Sequence, residues 1–147
     1  MLGAIIGGIV GLITVFIIYY LKGQRFKKLL KTVPDAEYAA LYHYASYNRF
    51  KKGTKYFDSY GLLYIIGNTV YYKASEHDRP LSFDLTQCTA QQEPNWRMLK
   101  WFSITTPVGE KHYFNSHKMG AFVNNSDETL KGLAVIGAKI AEVKQTV

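Results

Sequence analysis

Between Leu2 and Leu21 the chain runs for twenty residues without a charge, LGAIIGGIVGLITVFIIYYL. As a helix this stretch rises about 30 Å, the thickness of a bilayer's hydrocarbon core. It is apolar on every side, whereas a core helix of a soluble domain keeps a polar face. The pattern predicts a transmembrane helix, with Tyr19 and Tyr20 at headgroup level. A cleaved signal peptide fits poorly, since no Lys or Arg precedes the run and Tyr19-Tyr20-Leu21-Lys22 offers no small-residue cleavage site.

The remaining pattern predicts one soluble domain. Thr32-Val33-Pro34-Asp35-Ala36-Glu37 reads as a helix start, with Pro34 in the first turn and two acids at the positive end of the dipole. Tyr38, Leu41, Tyr42 and Ala45 follow at helical spacing, predicting a helix over 34–50. Beyond Gly61 the period becomes two. Leu62–Ile66 and Thr69–Lys73, rich in β-branched and aromatic residues, flank the turn dipeptide Gly67-Asn68 and predict a hairpin. Leu81, Phe83 and Leu85 alternate with Ser82, Asp84 and Thr86. A polar segment, 87–95, leads to a long strand over 96–105. The Pro107–Glu110 turn then brings back Lys111–Asn115 as its partner. Five strands are expected in all, with one or two more near Cys88 and Phe122. A closing helix is capped at Ser126, with Leu130, Leu133, Ala134, Gly137, Ile140 and Ala141 as its inward stripe. The predicted organisation is an anchor and collar over 1–31 and one domain over 32–147, of α+β class.

Charge sharpens this picture. The net charge is +7, yet residues 1–57 hold nine basic residues against two acidic, and residues 58–147 hold nine of each. Lys22, Arg25, Lys27, Lys28 and Lys31 form a collar directly after the apolar run. Basic flanks stay on the cytoplasmic side, so the N-terminus is expected outside and the domain in the cytoplasm. Arg49, Lys51, Lys52 and Lys55 form a second cluster. Both clusters are candidates for contact with anionic lipid, each side chain contributing up to about 1 kcal/mol at such a surface. Confinement of the basicity to this end argues against a nucleic-acid partner.

Gly3, Gly7 and Gly11 are spaced by four and Gly8 lies beside them, so one helix face carries two overlapping GxxxG motifs. Such a face lets a second helix approach closely in lipid, through a membrane-protein partner or a second copy of the chain.

Chemistry is sparse. His43, His77, His112 and His117 match no zinc spacing, although His112 and His117 are expected to approach across a strand end. Cys88 is the single cysteine and is expected to be a packed thiol. There is no nucleophile elbow, phosphate-binding loop or dinucleotide fingerprint. No catalytic residue, metal ligand or cofactor is predicted.

Gly61-Leu62-Leu63-Tyr64-Ile65-Ile66 followed by Asn68-Thr69-Val70-Tyr71-Tyr72 resembles the opening hairpin of GRAM-like domains. Leu81-Ser82-Phe83-Asp84-Leu85 resembles their next strand, and Trp101–Thr106 with Gly109–Phe114 a later hairpin. Across about 55–143 the chain is similar to GRAM-like and bacterial pleckstrin-homology-like (PH-like) domains. The resemblance implies a bent antiparallel sheet closed by a C-terminal amphipathic helix, and non-catalytic binding of lipid headgroups or protein segments. The helix over 34–50 would be an addition to that fold. Phosphoinositide-binding members place cations around the first hairpin. With Gly67-Asn68 as that hairpin, only Lys73 lies near it, which argues against headgroup recognition by that route. The function expected is a membrane-anchored binding module, with an accessory subunit of a larger membrane complex as the alternative.

Overall fold

The computed structural model describes residues 2–50, 52, 57–96, 98–117 and 125–146. The chain divides into two compact units, 1–34 and 35–147.

The first unit is one helix, α1 (Leu2–Lys31). Its stretch from Ile5 onward is long and apolar enough to cross a membrane, and the large apolar side chains between Ile5 and Leu21 are exposed. The collar continues the same helix, and the last turn carries Lys28 and Lys31, where cations suit the negative end of the dipole. Thr32 and Val33 donate their N–H groups to Leu29 and Leu30, and Thr32 Oγ1 donates to the Leu29 carbonyl. Thr32-Val33-Pro34 therefore ends α1. It does not begin a second helix.

The second unit opens with a strand where the spacing predicted a helix. β1 (Tyr38–Ser46) is followed by β2 (Ser59–Ile66), β3 (Thr69–Lys73), β4 (Leu81–Asp84), β5 (Thr89–Trp96), β6 (Leu99–Thr105), β7 (Lys111–Ser116) and α2 (Asn125–Gln145). The order across the sheet is β4-β3-β2-β1-β7-β6-β5, all antiparallel. Seven antiparallel strands and a C-terminal helix make the domain α+β, the architecture that the resemblance implies.

The reason for the error at 34–50 lies in β1's position. It pairs with β2 on one side (Tyr38↔Ile65) and with β7 on the other (Tyr42↔Ser116). Tyr38, Ala40, Tyr42 and Tyr44 face the main core, while Ala45 faces a second cluster on the opposite side of the sheet. A strand covered on both faces loses the apolar–polar alternation that identifies strands, and its apolar residues then match a helical period too.

The main core gathers Tyr42, Leu63, Ile65, Val70, Tyr72, Phe83, Leu85, Cys88, Phe102, Ile104, Phe114 and Ile136. Cys88 is a packed thiol next to β5, as expected. The predicted hairpin at Gly67-Asn68 is present, with Gly67 at φ +58°. The return through Gly109 is present too, at φ +83°. The expected long strand over 96–105 is instead a hairpin, since Trp96 pairs with Leu99 around a turn with Met98 at φ +61°. The expected strand near Cys88 is β5, an edge strand whose polar residues hid it in the sequence. The strand considered near Phe122 falls outside the described residues.

α2 packs on β5, β6 and β7 through Thr129, Gly132, Leu133, Ile136, Ile140 and Val143. Ala134, Gly137 and Ala141, placed on the inward stripe by the sequence, face solvent. Gly132 lies under the hydroxyl of Tyr42. That hydroxyl donates to the Glu128 carbonyl at 3.3 Å, and Tyr38 donates to Tyr42 at 2.9 Å. Ser116 N–H donates to Thr129 Oγ1 at 2.9 Å, tying the end of β7 to the first turn of α2.

Two glycines test this packing in opposite directions. A Cβ at Gly61 would run into the Lys73 backbone, whereas one at Gly137 meets open space. Gly61→Ala is expected to lower stability by about 1–3 kcal/mol. Gly137→Ala, in an exposed helix interior, is expected to raise it by about 0.5–1 kcal/mol. Urea unfolding of the two variants beside the parent measures both signs.

Candidate functional site

Antiparallel pairing brings three connections to one end of the sheet. Ser46 lies opposite His112, so the β1–β2 loop (47–58) adjoins the β6–β7 turn (106–110). Leu62 lies opposite Lys73, so the start of β2 adjoins the β3–β4 connection (74–80). We call this end the mouth. A shallow recess of about 270 Å³ lies between Tyr47, Asn48, Gly109, Glu110 and Lys111. Another, of about 300 Å³, is lined by Tyr44, Ser59, Tyr72, Asp78, Arg79 and Leu81.

The start of the β1–β2 loop turns back on the outer face of the sheet. Phe50 stacks flat on Tyr113, with ring centroids 3.9 Å apart and planes within 7°, and meets Trp96 and Trp101 edge-on. This aromatic cluster, with Ala45, is a second core. Asp58 closes the loop's base. Its carboxylate accepts from Ser46 N–H at 2.7 Å and from Arg49 Nε at 2.9 Å, while its own N–H donates to the Tyr44 carbonyl. Burial pushes the Asp58 carboxyl up, but the Ser46 and Arg49 hydrogen bonds and the guanidinium charge outweigh it and hold it below the usual carboxylate range.

Just inside the mouth the hydroxyl groups are paired. Tyr44 OH lies 2.8 Å from His112 Nδ1, and His112 Nε2 lies 3.7 Å from Glu110. Burial, with the charges of Asp58 and Glu110, pushes the Tyr44 phenol up to about 12. Burial also lowers His112 against the pull of Glu110, which favours the neutral ring beside Tyr44. Tyr72 OH and Ser59 Oγ are 2.9 Å apart. At the opposite edge Glu93 accepts from Ser103, Gln91 and Lys111, a buried carboxylate with every bond directed to Oε1.

The site residues expected from sequence divide between the two units. Lys22, Arg25, Lys27, Lys28 and Lys31 lie on the last third of α1. Gly3, Gly7, Gly8 and Gly11 lie on its first third, and a Cβ added at any of them meets nothing within 4 Å. Arg49 and Lys52 lie in the β1–β2 loop, Lys52 with its ammonium 5.3 Å from the Tyr47 ring centre. Lys51 and Lys55 lie outside the described residues.

The structure corrects the reading of the first hairpin. That hairpin is β1–β2, and its loop carries the second basic cluster; Gly67-Asn68 belongs to the second. Arg79 and Lys111 at the mouth were missed, because nothing local in sequence links positions 49, 79 and 111. The approach of His112 to His117 was also misjudged: His117 meets His43 instead, and His112 meets Tyr44. Among the described residues no three His, Cys, Asp or Glu side chains gather as a metal site.

No family model and no curated protein matches the sequence. Chains of known structure do resemble it. One is the pleckstrin homology domain of ArhGAP27, at 11% identity, covering 70% of this chain and 97% of that one, with a TM-score of 0.49.

Asp58→Asn removes the charge that holds the loop's base and is expected to cost about 1–2 kcal/mol at neutral pH. Because the folded carboxyl titrates below its ordinary value, its contribution is present above the unfolded pKa, near 4, and is lost as pH falls through the folded value. The parent–variant difference in urea unfolding should therefore be full at pH 7 and shrink towards pH 3.

Proposed function

We propose that this chain is a single-pass, membrane-anchored PH-like binding module that acts at the cytoplasmic membrane surface without catalysis, its mouth contacting anionic headgroups. One observation carries the reading: the β1–β2 loop, with Arg49 and Lys52, shares an end of the sheet with Arg79 and with Lys111, whose ammonium also holds Glu93, among the acids Asp78 and Glu110. In sequence that loop also holds Lys51 and Lys55, against the single acid Asp58, which Arg49 partly neutralises. Phe50 holds the start of the loop on the outer core and Asp58 holds its end, so Arg49 is presented without the full entropy cost of ordering a free loop. Support for the anchor comes from the length and apolarity of α1, and for the orientation from the collar of Lys22, Arg25, Lys27, Lys28 and Lys31.

The second reading is an accessory subunit of a membrane complex, packed through α1. It is favoured by the uncovered ridge at Gly3, Gly7, Gly8 and Gly11. Lipid packs as well against leucine as against glycine, so the ridge is useful only to another helix.

Two experiments separate these readings. Replacing Arg49, Lys51, Lys52 and Lys55 with Gln is expected to weaken binding of residues 32–147 to vesicles containing anionic lipid. The loss should be largest at low salt, since screening acts beyond about 10 Å near 0.1 M. Equal co-sedimentation of variant and parent at every salt concentration would remove the mouth from the membrane. Gly7→Ile is expected to release a helix partner or a second copy during detergent extraction, while Ile9→Leu retains it. Unchanged co-purification of Gly7→Ile would make the ridge incidental.

A further inference from the structure

On the outer face of the sheet, away from the mouth's paired hydroxyls, two buried histidines touch. His117 Nδ1 lies 2.5 Å from His43 Nε2, and the rings meet edge-on with centroids 4.2 Å apart. Both are more than nine-tenths buried.

The neighbouring bonds fix which nitrogens carry protons. Asn115, fully buried on β7, donates its amide Nδ2–H to the Lys100 carbonyl at 2.6 Å. Turning the amide over would set two acceptors against each other, so Oδ1 must face His43. It lies 3.4 Å from His43 Nδ1, which therefore carries the proton. Neutral His43 then has only a lone pair at Nε2, and His117 Nδ1 must donate to it. The direction runs from His117 through His43 and Asn115 to the Lys100 carbonyl. With both rings neutral, each is then in the Nδ1–H form.

This chain has room for one more proton and no further. If one ring becomes an imidazolium, the other can turn over its tautomer and accept. If both are protonated, two N–H groups face each other across 2.5 Å with two positive charges behind them. The rings must then part, and the pair takes up its protons in two coupled steps.

Parting has a definite mechanical consequence. Phe57, the last residue before Asp58 at the foot of the β1–β2 loop, packs on His43 at 4.5 Å. Tyr60 of β2, the titratable side chain seen against the pair from that strand, packs on His117 at 4.6 Å. From β7 the facing group is the uncharged Asn115. His117 also donates its backbone N–H to the Leu41 carbonyl, extending the β1–β7 pairing past Ser116.

We propose that His43 and His117 form a pH-sensitive latch between β1 and the end of β7, closed while the pair shares protons and opened when both rings are charged. Acidification would then loosen Phe57 and the β1–β2 pairing of His43 with Tyr60. The latch stands whether or not the mouth binds lipid, and its test reads ring protonation and backbone protection instead of vesicle binding.

The full chain, with ¹³C,¹⁵N-labelled histidine, is studied in detergent micelles by NMR across pH 4 to 8. At neutral pH two rings are expected in the Nδ1–H form and hydrogen-bonded to each other, and on acidification they should respond in two linked steps. His77, in the β3–β4 connection, is the control. Amide protection factors at His43 and Tyr60, which pair across β1 and β2, should fall about tenfold between pH 7 and pH 5, a change of about 1.4 kcal/mol. In His117→Gln, which cannot acquire the second charge, that fall should vanish, while His77→Gln should keep it. An Nε2–H form of either ring at neutral pH, or independent single-step titration of both, overturns the proton sharing. Protection that is unchanged by acid in the parent overturns the latch. The tautomer measurement uses the unaltered chain, so a poorly folding His117→Gln does not shield the proposal.

Discussion

The fold depends on the double pairing of β1. Of the seven strands, β2 to β4 and β5 to β7 each form a simple antiparallel run, and only β1 pairs with both. Its register fixes which connections share the mouth and sets Tyr42 beneath α2. It also delivers His43 to the side facing His117. A strand so placed must satisfy N–H and C=O groups on both edges and bury side chains on both faces. Aromatic residues at Tyr38, Tyr42 and Tyr44 alternating with small or polar ones meet that demand.

That same position made β1 the least legible element in the sequence. Where one pattern dominated, the reading held: Leu62–Ile66 and Thr69–Lys73 around Gly67-Asn68 form a hairpin, and Lys111 to Asn115 returns along β6. At Tyr38–Ser46 two periods fitted equally, and the Thr32-Val33-Pro34 segment, read as a start, is the close of α1. β5 was hidden for the opposite reason, because an edge strand has little to bury and its Gln91, Gln92 and Glu93 resemble a loop. α2 was found, but its inward face was set too far round, since Thr129 and Gly132 are buried for hydrogen bonding and close approach instead of apolarity.

One misplaced strand moved the candidate site. With 34–50 as a helix, the cations at 49 to 55 followed an appendage and the first hairpin looked bare. With β1 in place Arg49 and Lys52 lie in the β1–β2 loop, at the same end of the sheet as Arg79 and Lys111. The collar and the glycine ridge were legible because they depend only on local order along α1. Long-range pairs such as His43 with His117, or Tyr44 with His112, had no local signal at all.

The length of β1 has a consequence of its own. Nine residues of strand put the mouth about 26 Å from Tyr38, where β1 begins. If α1 is held in a bilayer and the mouth binds headgroups, as proposed, that contact would be made at an effective concentration of order millimolar, whatever the protein's abundance in the cell. Under those conditions a contact too weak to recruit a soluble protein is occupied much of the time. Selection would then act on how readily the loop lets go, more than on how tightly it holds.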